Sequence, residues 1–120
     1  MKKILILGTA LLCGFLCRVA AQGVEFRDLT FGQALEQART ENKLVFMDCY
    51  TSWCGPCKNM LKNVFTLPEA GEFMNAHFVC VKYDMEKGEG IGLKKQFAVR
   101  AFPTFFIIRP DGTVQHRLAG

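Results

Sequence analysis

The sequence predicts an α/β fold: a mixed central sheet with helices on both faces, in three layers. Three observations carry this expectation. The segment "LVFMDCY" (44–50) is apolar throughout except for one aspartate, as a central strand covered on both faces must be. Segments of helical period separate it from the later strand-like runs, which implies parallel pairing through right-handed crossovers. Near the end, "PDG" joins two strand-like runs into an antiparallel hairpin. With 120 residues, half of them apolar, the chain can build one domain around a core.

In order along the chain, "VEF" (24–26) fits a short edge strand. In "TFGQALEQARTEN", Phe31, Ala34, Leu35 and Ala38 fall at helical spacing, and Thr30 with Gln33 forms a capping-box pattern at the helix start. The central strand follows. After "WCGPC", the run "KNMLKNVF" places Met60, Leu61, Val64 and Phe65 on one face and Lys58, Asn59, Lys62 and Asn63 on the other. This is an amphipathic helix whose first turn holds both cysteines. It breaks near Pro68, where Thr66 and Glu69 form a second capping-box pattern and the proline takes a favoured first-turn position. A short helix through "EAGEFMNA", a strand "FVCVKYD" (78–84), a loop "MEKGEG" and a modest helix near 91–98 come next. "FPTFFIIR" is then a strand, "PDG" a turn, and "TVQHRL" its partner, with Val114, His116 and Leu118 alternating against Thr113, Gln115 and Arg117.

The first 21 residues have a different character. "MKK" is a short positive start, "ILILGTALLCGFLC" an apolar run of 14, and Val19 and Ala21 fit the positions before a signal-peptidase cut. This predicts a signal peptide over 1–21 and a mature domain over 22–120. The run is short of the ~20 residues that span a bilayer, so membrane contact is expected only through this segment if it stays uncleaved. Lipidation is disfavoured, because Cys13 and Cys17 each follow a leucine rather than a small residue. Removing Lys2, Lys3 and Arg18 leaves 12 of 15 basic residues against 11 acidic ones, so the net charge falls from +4 to +1. No basic run remains to suggest nucleic acid. Four cysteines survive maturation (Cys49, Cys54, Cys57, Cys80), in a compartment where disulfides persist.

Three roles compete for Cys54 and Cys57. A zinc site needs four ligands, and the sequence has neither a second CxxC nor a paired histidine, since His77 and His116 stand apart. A permanent disulfide across a two-residue gap restrains little of the unfolded chain. A redox couple fits the placement. Cys54 at a helix N-terminus has its thiolate favoured by unpaired N–H groups and the helix dipole, and Cys57, one turn in, is expected to be the more buried. Cys54 then attacks a substrate disulfide, and Cys57 resolves the mixed disulfide.

Asp48 is costly in an apolar strand unless paired or protonated. Either nearby backbone bonds it at the strand's end, or it relays a proton to and from Cys57. Lys82, on the following strand, is expected to share its neighbourhood or simply to be solvated.

"WCGPCK", the aspartate six residues before its first cysteine, and "VRAFPTFFI" followed by "PDGTV" together resemble the thioredoxin-like family over residues 24–120. The resemblance implies a three-layer thioredoxin-like sandwich and a thiol–disulfide oxidoreductase needing no cofactor. It implies a cis Pro103 against the active-site disulfide, with Ala101 and Phe102 presenting backbone to a substrate peptide. Trp53 would pack on the active-site loop, and Gly55-Pro56 is the dipeptide that accompanies reducing character. Partners would be disulfide-containing proteins and a membrane or soluble dithiol donor. "KNVFTLPEAGEFMNAHFVCVKYDME" is more similar to exported relatives, among them the C-terminal domain of the transporter that carries electrons into the periplasm, which implies a Gram-negative periplasm.

Two features depart from the family pattern. Cys49 stands where an aromatic or large apolar residue is usual. Strand alternation sets Cys49 and Cys80 on opposite faces, as buried small hydrophobes, with a second redox-active thiol at Cys49 as the alternative. The family fold also continues with a final helix, which this sequence, stopping at "HRLAG", lacks; either it is a fragment, or another domain or chain covers the apolar residues of the last strands. The expected function is disulfide exchange in the reducing direction through Cys54 and Cys57. A disulfide oxidase or isomerase on the same fold, and a non-catalytic binding or copper-handling module, remain the alternatives.

Overall fold

A computed structural model describes residues 22–120; the expected signal segment, with Cys13 and Cys17, lies outside them. The elements run α1 (Phe31–Glu41), β1 (Leu44–Tyr50), α2 (Gly55–Asn63), α3 (Pro68–His77), β2 (Phe78–Asp84), α4 (Gly90–Gln96), β3 (Thr104–Ile108) and β4 (Val114–Ala119). The capping box at α1 is formed: Thr30 Oγ1 accepts the Gln33 N–H at 3.1 Å, and Gln33 Oε1 accepts the Thr30 N–H at 3.0 Å. Asn42 closes α1 in the left-handed region at φ 57°, donating its N–H back to the helix's last carbonyls. The second expected box is not formed. Leu67 precedes α3 without a side-chain cap, and the Thr66 hydroxyl donates instead to the Lys62 carbonyl at 2.7 Å. Because α2 stops at Asn63, Thr66 lies within reach of a carbonyl left free by that helix.

The sheet order is β2-β1-β3-β4. β1 and β2 pair in parallel from Leu44 opposite Phe78 to Tyr50 opposite Asp84. β3 is antiparallel to β1, with Val45 opposite Ile108 and Cys49 opposite Thr104, which corrects the expectation of a parallel crossover across α4. The reason is length. α4 has seven residues, roughly 10 Å of helix against roughly 23 Å for a seven-residue strand, so it cannot carry the chain back along the sheet. Asp84 and Thr104 therefore both lie level with the end of β1 that leads into the cysteines. "FPTFFIIR" enters the ladder only at Thr104. "VEF" contributes a single bridge, Phe26 to Cys80.

Helices lie on both faces, over two apolar clusters. Val45, Met47 and Cys49 of β1 join Val79, Val81, Phe106 and Ile108 beneath Phe31, Ala34 and Ala38 of α1 and Leu93 of α4. On the other face Phe46, Phe65 and Cys80 pack with Phe26, Met60, Val64 and Phe105. Phe46 stacks on Phe105 at 5.5 Å and meets Phe65 edge-on at 6.0 Å. Leu61, expected on the buried face of α2, is 39% exposed because it turns toward a cleft beside Asp48. β4 is exposed along its whole length.

Candidate active site

The cysteines enter where β1 gives way to α2. Cys54 is the N-cap residue of α2, and its sulfur accepts the Cys57 N–H at 3.1 Å. Pro56 sits in the first turn, where its missing N–H leaves nothing unpaired. Cys54 and Cys57 are joined as a disulfide with their Cα atoms 5.3 Å apart. When that bond is reduced, the same N–H and the positive end of α2 favour negative charge on Cys54 sulfur. The expected difference in burial is not found: Cys54 is 3% exposed and Cys57 6%. Ring closure draws the Cys54 sulfur against the first turn of the helix, so both are covered. Position at the helix start, rather than exposure, distinguishes them. Gly55 has open space where a side chain would stand, so packing does not demand a glycine there.

Asp48 is 4% exposed, and its Oδ1 has no hydrogen-bond partner among the described residues. Backbone capture at the strand's end is therefore not what holds it. Burial pushes its carboxyl up to about 7, with the opposing pull of Lys82 as the smaller influence. Lys82 stands directly opposite Asp48 in the β1–β2 register. Both line a half-open cleft of about 190 Å³ that also touches Cys57, Lys58 and Leu61 of α2. A buried carboxyl titrating near neutrality, beside the inner cysteine and open to water through this cleft, can take up or release a proton where a thiol must gain or lose one.

The Phe102–Pro103 peptide bond is cis and Pro103 is buried. Trp53 is 62% exposed, meets the Phe102 ring edge-on at 5.9 Å, and donates its indole N–H to Glu86 at 3.1 Å. The Ala101 carbonyl accepts the Thr104 hydroxyl at 2.6 Å, whereas neither backbone group of Phe102 is bonded within the described residues. Of the two expected peptide-binding residues, Phe102 has its backbone free.

Cys49 and Cys80 lie in opposite clusters and are unbonded. Burial pushes both thiols up to about 12, which disfavours a thiolate on either. His116 lies opposite Ile107, which is opposite Phe46, two strands from β1 and toward the end remote from Cys54. It is not placed to complete a metal site with the CxxC.

Outside the expected set, Glu86 holds the Trp53 indole, and Tyr50 lines the cleft beside Asp48. Glu86 sits in a loop whose pattern gives no sign of the indole it holds. Tyr50 was within reach of alternation, two residues after Asp48 and on its face.

Residues 31–120 match a family model described as a thioredoxin-like domain. The chain is 33% identical over 103 residues to the chloroplastic Thioredoxin Y of Oryza sativa subsp. japonica, covering 86% of this chain. It spans somewhat more than half the length of the first curated relatives it matches, 58% and 56%. A stretch covering 67% of the chain is 31% identical over 81 residues to the thiol:disulfide interchange protein DsbD of Pseudomonas fluorescens, of which it covers 14%. Among solved structures, a candidate disulphide isomerase from Bacteroides thetaiotaomicron superposes with a TM-score of 0.75 at 48% identity, over 85% of this chain and 84% of that one.

Proposed function

This chain belongs to the thioredoxin-like family, and from that premise we propose that it is an exported thiol–disulfide oxidoreductase that reduces disulfides in other exported proteins. One observation carries the reading: the Cys54–Cys57 disulfide caps α2 beside a cleft into which a buried, unpartnered Asp48 faces. In the reduced protein, the Cys54 thiolate attacks one sulfur of a substrate disulfide. A Cys54–substrate bond forms, and the other substrate sulfur leaves as a thiolate that takes a proton. Cys57 passes its proton to Asp48 and attacks the Cys54 sulfur. The mixed disulfide breaks, the intramolecular disulfide forms, and the second substrate thiolate is released and protonated. Two electrons have moved to the substrate, and a dithiol donor, membrane-bound or soluble, returns them.

Trp53 and Phe102 form an apolar lip at the cysteines, and the free backbone of Phe102 gives an extended peptide somewhere to pair. Export and a periplasmic address rest on the signal pattern over 1–21 and on the resemblance of residues 62–86 to exported relatives. N-terminal sequencing of the secreted protein is expected to begin at Gln22.

The direction of exchange is tested by the equilibrium potential of Cys54–Cys57 against a glutathione or dithiothreitol buffer. A value near about −270 mV fits a reductant, and one near about −120 mV reverses the direction. A value near about −180 mV favours isomerisation, the second reading, which the 48% identity to a candidate isomerase supports.

A further inference from the structure

Lys82 is the cation nearest the proposed relay, yet it makes no ion pair with Asp48 or any other carboxylate among the described residues. Its Nζ lies instead 5.4 Å from the centroid of the Phe26 ring and 5.9 Å from that of Tyr50. The two rings come from different places. Tyr50 follows Asp48 on the same face of β1, and Phe26 arrives on the segment that bridges to Cys80 at the outer side of β2. A lysine at a half-exposed position, on a long flexible stem and without an ionic partner, would ordinarily spread its ammonium through the surrounding water. Here two rings lie at distances where a cation is attracted to their π-faces.

We infer that Phe26 and Tyr50 are positioning residues that clamp the Lys82 ammonium at the mouth of the Asp48–Cys57 cleft, close enough to act on the Asp48 carboxyl through space. The inference deepens the proposed mechanism and rests on Asp48 serving as the proton relay. The ionisable groups around that carboxyl are few. Lys82 faces it from β2, Tyr50 stands beside it on β1, and Cys57 and Lys58 line the cleft from α2; the residue opposite on β3 is the apolar Phe105. Lys58 is exposed at the helix surface, so among the described residues the cation held in place at the cleft is the clamped one. Fixing it moderates the effect of burial on Asp48 and keeps the carboxyl titrating where it can both accept and return a proton. Released into water, the ammonium would leave burial unopposed and the carboxyl would hold its proton to higher pH.

The test reads the Asp48 titration midpoint by carboxyl-carbon NMR in the purified protein, and the pH profile of the Cys57 resolving step alongside it. Tyr50→Leu is expected to raise the midpoint by roughly half a pH unit or more, part of the one to three units a neighbouring cation supplies. Lys82→Met raises it at least as far, and adding Tyr50→Leu to Lys82→Met changes nothing more. Tyr50→Phe keeps the ring and the wild-type midpoint. An unchanged or lowered midpoint in Tyr50→Leu, or a further rise in the Lys82→Met background, overturns the clamp. Phe26 also packs against Phe46 and Phe65, so it is tested without substitution. In the wild-type protein the Lys82 Hε resonances are expected upfield of those of the exposed lysines by ring current, and coincidence with them overturns the inference. A resolving step indifferent to Asp48→Asn refutes the relay itself. A midpoint indifferent to Tyr50→Leu but moved by Lys82→Met refutes only the clamp.

Discussion

The two faces of β1 are built from alternate residues of one seven-residue strand and follow opposite rules. Val45, Met47 and Cys49 enter an apolar cluster with Val79, Val81, Phe106 and Ile108. Phe46, Asp48 and Tyr50 face α2, where a buried carboxyl, a clamped ammonium and a disulfide gather around a cleft. The first face stabilises the fold, and the second spends part of that stability on a carboxyl that would be more comfortable in water. Cysteine makes the contrast plainest. Cys49, in the dry cluster, is a small hydrophobe, while Cys54, a few residues later at a helix start, has the setting of a nucleophile.

The largest effects are expected on the α2 side. Cys54→Ser should lower disulfide reduction by more than about 10³-fold, since a hydroxyl at that position is not a thiolate. Cys57→Ser should leave the first attack intact and accumulate the mixed disulfide with a substrate protein, visible on a non-reducing gel. If either variant turns over at the wild-type rate, the contrast between the faces has no chemical content.

Asp48→Asn comes next, and its sign is opposite to that of most core substitutions. Folding raises the midpoint from the ordinary 3.8 to about 7, so between these values the folded state binds a proton that the unfolded state does not. The stability this confers is fully present below the unfolded midpoint and is lost as pH rises through about 7, to a limit of roughly 4 kcal/mol. Denaturant melts from pH 5 to 8 should show wild-type stability falling, the Asp48→Asn curve flat over this range, and the variant the more stable at pH 8. A variant less stable at pH 8 would mean that the charged carboxylate is held by partners after all.

On the dry face, Met47→Ala should cost about 2–5 kcal/mol by leaving a cavity, with little change in the potential of the cysteine pair. Thr30→Ala, which removes one half of the capping box on α1, should cost about 1 kcal/mol. The smallest expected effect is that of Cys49→Ala on turnover, which should match wild type within error. A slowed reaction there would return Cys49 to the redox chemistry.

Strand and helix identities were legible because they rest on local pattern. The runs 44–50 and 78–84 fold as the strands their apolar continuity predicts, and Thr30 with Gln33 caps α1 as its spacing predicts. What was illegible depends on distance through space. The direction of β3 follows from α4 being too short to cross the sheet, and the fate of Thr66 from where α2 happens to stop. At the site, Cys54, Cys57, Asp48 and Lys82 could be named from motif and alternation, and they do gather about one cleft. The Glu86 that holds Trp53 and the ring of Phe26 over Lys82 come from segments far away in the chain, with no pattern tying them to the site.

The central claim is that the charged face of β1 serves the inner cysteine. The most direct measurement is the rate at which Cys57 resolves a preformed Cys54 mixed disulfide, followed from pH 5 to 9 in wild type and Asp48→Asn. The wild-type rate should rise through an inflection near pH 7, where Asp48 becomes a base. The variant should lack that inflection and resolve about 10²-fold more slowly at pH 7, recovering only as the Cys57 thiol ionises by itself. Superimposable profiles would contradict the account, leaving Asp48 a buried acid without a task.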